Sequence, residues 1–336
     1  MGCAWKKPQT DDDLPRIALK QNDGILTVCE NNKNTPSSYL VHKAVPIQIL
    51  PSFVRSFYMD VLHDKCATCS QHAYKDLYFF KNHVISVECA KKENYYTRKK
   101  IFSRLKDLRH VLVPSNIFYL PLKKDSGIVF QKMKYCKKGD MFDFMLNNMG
   151  KENINIDEFV FSMASTLIQI HKRGIFLTDI KLENILYDDT FYFSDFEHAF
   201  LDQKFLPETA NKKEIHEHVL RSKQSGQLWV RTVHYLPAPD FPYTQKMAIR
   251  NDVFALARCI GMLIVSNRFN LSLHIFQGYT PYKVKDDRCE LRDTCPQVYN
   301  HSYIADCCDC IVEHDLYANH AFLEKIISSQ YKNTVI

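Results

Sequence analysis

The sequence predicts an α+β fold, on three observations. Apolar runs with strand character gather before residue 135, at residues 76–92, 111–122 and 128–135. Apolar residues at helical spacing dominate later, most clearly over residues 156–173 and again from Asn251. With 336 residues, 46% of them hydrophobic, the chain can bury one large core or two modest ones.

Composition narrows the class. A net charge of +6 and a pI near 8.6 make a mild basic excess, which permits anionic partners without indicating nucleic acid. No apolar run is long enough for a membrane span, and MGCAWKKPQTDDD has no apolar core for a signal peptide. Twelve cysteines without a secretory signal read as mostly reduced thiols. The expectation is a soluble intracellular protein, cytoplasmic or nuclear, without repeats or low-complexity tracts.

In chain order, residues 1–60 read as an N-terminal extension, polar then mixed and punctuated by Pro36, Pro46 and Pro51. Residues 76–92 predict a β-hairpin about a Lys81-Asn82 turn. Residues 94–108 have helical spacing at Ile101, Leu105 and Leu108, and strands follow at 111–122 and 128–135. Residues 156–173 form an amphipathic helix that Gly174 would cap.

The chemistry concentrates between Gly174 and Phe200. Asp179 is followed by Lys181 and Asn184, and a β-rich run at residues 185–193, turning at Asp188-Asp189, delivers Asp195. Such a hairpin brings Asp195 back beside Asn184. Their oxygens could share a divalent metal, leaving Asp179 to accept a proton. Mg²⁺ takes few protein oxygens and completes its shell with phosphate and water, the arrangement phosphoryl transfer needs.

Leu177-Thr178-Asp179-Ile180-Lys181-Leu182-Glu183-Asn184 resembles the catalytic loop HRDLKxxN of eukaryotic-type protein kinases, and Ser194-Asp195-Phe196-Glu197 resembles the DFG that follows it. KYCKKGDMFDFML resembles the hinge and next helix of that family, with Tyr135 and Cys136 offering backbone groups to an adenine ring. Residues 229–240, WVRTVHYLPAPD, resemble GTxxYxAPE through Thr232, Tyr235 and Ala238-Pro239-Asp240, with one extra residue and Asp for Glu. Asn251-Asp252-Val253-Phe254-Ala255-Leu256 resembles DVWSLG, whose acid, here Asp252, braces the catalytic loop.

Spanning residues 60–270, the resemblance implies a bilobal kinase-like fold: a small antiparallel β lobe at 61–135 and a larger, mainly helical lobe at 136–336. It implies Ser/Thr phosphotransfer from Mg-ATP to a protein hydroxyl. Asp179 would be the base, Lys181 the cation on the transferring phosphate, and Asn184 and Asp195 the Mg²⁺ ligands. A protein substrate or a partner kinase is the implied partner.

The first half departs from that pattern. No glycine lies between Gly24 and Gly127, so the phosphate-covering loop is missing, and DKCATCSQHAY stands where it would be. The family's strand lysine aligns with Glu88 in Ser86-Val87-Glu88. Sliding to Cys89-Ala90-Lys91 restores a lysine, expected on the same face, but leaves Lys92 and Glu93 where the family stays apolar; Glu88 is the better fit. Lys75, Lys91 and Lys92 are candidate surrogate cations for ATP phosphates.

The helix that should carry the lysine's acidic partner has no acid from Asn94 through Lys106, only Arg98, Lys99, Lys100 and Arg104 among its charged residues before Lys106. A reversed pair of Glu88 with Lys99 or Lys100 is one reading, and a solvated basic face is the plainer one. Thr178 replaces the arginine that grips a phosphorylated activation loop, and Glu197 replaces the glycine after Asp-Phe. The alternative function is therefore a pseudokinase scaffold or decoy. Low glycine content and eroded motifs resemble kinases of large DNA viruses, which would put the protein in a host cell.

Two further patterns stand apart. Met1-Gly2-Cys3 resembles a dual acylation start, though Lys6 stands where Ser or Thr is usual; membrane attachment is expected only if Gly2 and Cys3 are acylated. His63, Cys66, Cys69 and His72 have a spacing that could hold zinc, as could Cys289, Cys295, His301, Cys307, Cys308, Cys310 and His314. Packed reduced thiols are the plainer account of both.

Overall fold

The computed structural model describes residues 17–22, 25–31, 39–62, 68–72, 75–122, 124–148, 154–224, 243–269 and 320–333. These residues form antiparallel sheets and seven α-helices, a mixed α+β structure compatible with a kinase-like fold. The chain divides into two compact units, Met1–Phe102 with Val113–Tyr135, and Ser103–Leu112 with Cys136–Ile336.

The first unit opens with a three-stranded antiparallel sheet, β1 (Ile17–Asn22), β2 (Ile25–Asn31) and β3 (Tyr39–Pro46). Helix α1 (Ser52–Leu62) follows. Next come β4 (Thr68–His72), β5 (Lys75–Phe79), β6 (His83–Lys91), α2 (Lys92–Leu105), β7 (Asn116–Pro121) and β8 (Ser126–Lys134). The strands make one antiparallel sheet in the order β4-β5-β6-β8-β7. The expected hairpin is β5–β6, closed where the Phe80 N–H donates to the His83 carbonyl at 2.9 Å. Part of the stretch expected to replace the glycine loop is itself strand β4.

Alternation along β6 assigns its two faces. Ile85 and Val87 join Phe80, Leu120, Ile128 and Phe130 in a core closed by Leu50, Val54, Phe57 and Tyr58, so α1 covers that face. On the opposite face Ala90 and Val129 pack with Tyr95 of α2. Each fully buried large apolar side chain contributes roughly 1.5–3 kcal/mol, so α1 is part of this unit's core and not an appendage to it. The expected break between residues 60 and 61 falls inside α1. Gly127 is required near the start of β8, opposite Pro121 of β7: a Cβ there would meet the Leu120 carbonyl oxygen at 2.3 Å.

The second unit contains α3 (Met141–Asn148), α4 (Ile156–Lys172), β9 (Ile175–Phe176), β10 (Ile185–Tyr187), β11 (Phe191–Phe193), β12 (Phe200–Leu201), α5 (Lys212–Gln224), α6 (Gln245–Phe269) and α7 (Ala321–Asn333). The α4 start is capped by Asn155, whose Oδ1 accepts from the Glu158 N–H at 3.1 Å; such caps contribute about 1 kcal/mol. Its end is set by Gly174 at φ +69°, where a Cβ would also strike the Asp202 carboxylate. Residues 251–264 of α6 are all buried, which makes α6 the central helix of this unit. It begins at Gln245, six residues before the periodicity becomes visible at Asn251. No helix among the described residues is long and apolar enough to cross a membrane.

Candidate active site

Three features position the site. Helix α4 ends at Gly174 and β9 pairs with β12, Phe176 opposite Phe200, which fixes the entry to the loop. The hairpin β10–β11 pairs Ile185 with Phe193 and fixes the exit. Between them Asp252 of α6 rises beneath the loop. Its Oδ2 accepts from the Leu177 N–H at 2.7 Å and its Oδ1 from the Thr178 N–H at 2.6 Å. Asp252 is wholly buried, and two backbone amides with a third donor, His171 Nε2 at 3.0 Å, answer its charge.

The loop turns sharply over this brace. Thr178 sits at φ 63°, unusual for a β-branched residue, and its hydroxyl donates to the His198 carbonyl at 3.0 Å. Asp179 follows, its Oδ2 accepting from Lys181 Nζ at 2.8 Å and Asn184 Nδ2 at 3.1 Å. The same Asn184 amide also donates to the Asp179 carbonyl at 2.9 Å. Asp179, Lys181 and Asn184 thus form one hydrogen-bonded cluster, the acid mostly buried and the amine partly exposed.

With Nδ2 engaged twice, Asn184 directs its Oδ1 elsewhere. Ser194 ties β11 back to the same residue: its N–H and hydroxyl both donate to the Asn184 carbonyl, at 3.0 and 2.9 Å. Asp195 comes next, exposed and at φ 56°. The hairpin thereby returns Ser194 to Asn184 and places Asp195 one residue on. An amide oxygen and a carboxylate suit Mg²⁺, so these residues fit that ion.

Sequence reasoning passed over Glu183, inside the loop itself. Burial pushes its carboxyl above the usual range, and Oε2 has no hydrogen-bond partner among the described residues. Burial likewise raises the Asp140 carboxyl and, strongly, the Cys259 thiol of α6. His171 was also missed, although a histidine three residues before Gly174 ends an otherwise apolar helix face.

Tyr135 donates its N–H to the Asn82 carbonyl at 3.3 Å, and the carbonyl of buried Cys136 accepts from the Gly139 N–H at 3.1 Å. Thr232, Tyr235 and residues 238–240 are outside the described residues. So are Gly2, Cys3, His63, Cys66 and the C-terminal Cys/His cluster, while Cys69 and His72 are described only as backbone of β4.

On β6, Glu88 is buried and paired with Arg98 of α2. Gln131 Nε2 of β8 donates to the same Oε1 at 3.1 Å. An acid on the strand does meet a base on the helix, but through Arg98; Lys99 and Lys100 are exposed. The expectation that Lys91 shares the face of Glu88 is corrected by the pleat. Three residues apart, they point to opposite sides, and Lys91 is exposed at the strand's end.

Comparison with known proteins adds a coarse relationship. A 94-residue stretch, 27% of this chain, is 31% identical to the serine/threonine-protein kinase cds1 of Schizosaccharomyces pombe, covering 20% of that protein. An Aurora kinase of Candida albicans matches at 26% identity over 26% of this chain and 18% of its own length. The serine/threonine-protein kinase unc-51 of Caenorhabditis elegans matches at 30% over 29% of this chain and 11% of its own. The chain thus spans no more than a fifth of these curated relatives. No family model matches. The matches support a kinase-like relationship; the resemblance to kinases of large DNA viruses gains no support from these fungal and nematode proteins.

Proposed function

We propose that this chain transfers phosphate from Mg-ATP to a serine or threonine hydroxyl of a protein. The observation that carries this reading is the cluster of Asp179, Lys181 and Asn184 on one loop braced from beneath by Asp252. Asp179, oriented by two donors, accepts the proton of the attacking hydroxyl. Lys181 beside it offers a cation to the transferring phosphate, and its place two residues after the acid resembles the Ser/Thr class. Asn184 and Asp195 would hold Mg²⁺, which supplies charge neutralisation on the phosphates when bound.

A second reading, a pseudokinase that binds a partner kinase or substrate, is favoured by Glu88. Where the resemblance puts a phosphate-holding lysine, this chain buries a carboxylate already matched by Arg98 and Gln131. Without that lysine and the glycine loop, Lys75, Lys91 or Lys92 would have to hold the nucleotide.

The experiment is Mg²⁺-dependent transfer from labelled ATP, to the protein itself and to generic substrates, by wild type and Asp179→Asn. A positioned base contributes about 10²–10⁴-fold, so a loss of at least about 100-fold in the variant is expected. Equal transfer by both proteins, or none from folded wild type, would overturn the phosphotransfer reading and favour the scaffold.

A further inference from the structure

We propose that His320, which opens the C-terminal helix α7, is a positioning residue for the catalytic loop. It would act through His171 and Asp252. The inference rests on the phosphotransfer reading for its kinetic consequence, though not for its geometry.

The chain of contacts is continuous and lies within one unit. His320 Nε2 stands 2.9 Å from His171 Nδ1, with the ring planes 21° from parallel and the centroids 5.1 Å apart, close to the most that this nitrogen separation allows, so the bond lies near both ring planes. His171 Nε2 stands 3.0 Å from Asp252 Oδ2, and Asp252 receives the Leu177 and Thr178 amides. From His320 to Thr178 every link is a hydrogen bond of 2.6–3.0 Å.

The proton placement follows from the acceptor at the far end. A carboxylate already receiving two amides accepts from His171, so Nε2 carries a hydrogen, and in the neutral ring Nδ1 is the bare nitrogen. That nitrogen belongs to a side chain 1% exposed, where an unmet acceptor is costly. Among the described residues His320 meets it, donating from Nε2. The donor therefore fixes the tautomer and ring angle of His171, and the ring in turn aims Asp252 at the loop. An outer-shell partner tunes a metal-ligating histidine by the same logic.

Neighbouring charges are consistent with a neutral donor. Burial foremost lowers the His320 pKa; His171, whenever it is charged, and Lys172 lower it too, while Glu324 opposes them. His320 also starts α7 through its own carbonyl, which accepts from the Glu324 N–H at 2.9 Å. The sequence that places α7 on α4 thus places the donor as well. Because the brace ends in α7, residues some 140 positions downstream bear on the geometry of Asp179.

The test compares His320→Leu, which keeps bulk and loses the donor, with His320→Gln, which keeps an N–H donor. Hydrogen exchange is read in the segment holding Leu177 and Thr178, together with kcat and the KM for ATP. In the Leu variant, loop exchange should rise about fivefold, the size expected for one lost hydrogen bond. Its kcat should fall roughly tenfold with KM little changed, a sign of misplacement and not of weaker binding. The Gln variant should restore both. Loop exchange equal to wild type in the Leu variant, or equally fast in both variants, overturns the proposal. Should wild type transfer no phosphate, the phosphotransfer reading falls alone, because exchange at the loop still judges the coupling.

Discussion

Among the described residues two non-glycine residues take positive φ, Thr178 and Asp195, and they bracket the loop that carries Asp179. Such conformations cost on the order of 1–3 kcal/mol and persist only where surroundings over-determine them. Thr178 is held at both ends, by Asp252 at its amide and His198 at its hydroxyl. Neither strain was legible beforehand, because nothing in the letters Leu-Thr-Asp records a backbone angle. The grouping of Asp179, Lys181 and Asn184 on one loop, with Asp252 bonded beneath it, was legible through the kinase resemblance of the stretches that carry them. A different residue makes a testable electrostatic statement. Arg173 grips Asp107 through both guanidinium nitrogens, and this hydrogen bonding lowers the Asp107 carboxyl to about 2. Because the folded value lies below the ordinary 3.8, the pair's contribution is complete above that value and is lost as pH falls toward 2. In an NMR titration, Asp107 should stay ionised down to about pH 3 in wild type. In Arg173→Gln it should titrate near its ordinary value. A shared midpoint in the two proteins would remove the assignment.

At the level of elements, the most informative junction is strand β6 against helix α2. Sequence reasoning saw both Glu88 and the basic helix, but read a solvated basic face as plainer and offered only Lys99 or Lys100 as the alternative partner. The phase of α2 decides otherwise: Arg98, Ile101 and Leu105 recur at i, i+3 and i+7 on the buried side. That phase was readable, and the flanking lysines obscured it because charge alone does not mark a face. Removing one member of a buried pair strands the other, at roughly 3–5 kcal/mol, whereas replacing both with apolar groups is often neutral. Arg98→Met should therefore lower the unfolding free energy by that amount in urea titration. Glu88→Leu with Arg98→Met should recover most of it. A double variant as unstable as the single would mean that packing, not charge, joins these elements. Helix α5 was overlooked for a related reason. Its start is a capping box, Asn211 Oδ1 accepting from Glu214 N–H and Glu214 Oε2 from Asn211 N–H, at 3.0 and 2.8 Å. Asn-Lys-Lys-Glu announces it, but a polar helix gives little periodicity to find.

For the molecule as a whole, the second unit was more readable than the first. Its landmarks are chemical, and chemistry fixes spacing. The opening residues gave only mixed polarity, although Asp23-Gly24 between two strand-like runs is a hairpin signal. Helix α1 was lost because its apolar side has meaning only against a sheet that comes later in the chain. A chain starting at residue 63 would uncover Phe80, Ile85, Val87, Leu120, Ile128 and Phe130. It should elute from size exclusion as aggregate and bind hydrophobic dye, while the full chain does neither; a monodisperse, dye-silent truncation would show that α1 is dispensable. The reversed pair on β6 has an effect outside the test tube of purified protein. A reagent that acylates the strand amine expected from the kinase resemblance would meet a carboxylate at Glu88, and a proteomic inventory assembled that way would not register this chain through that position.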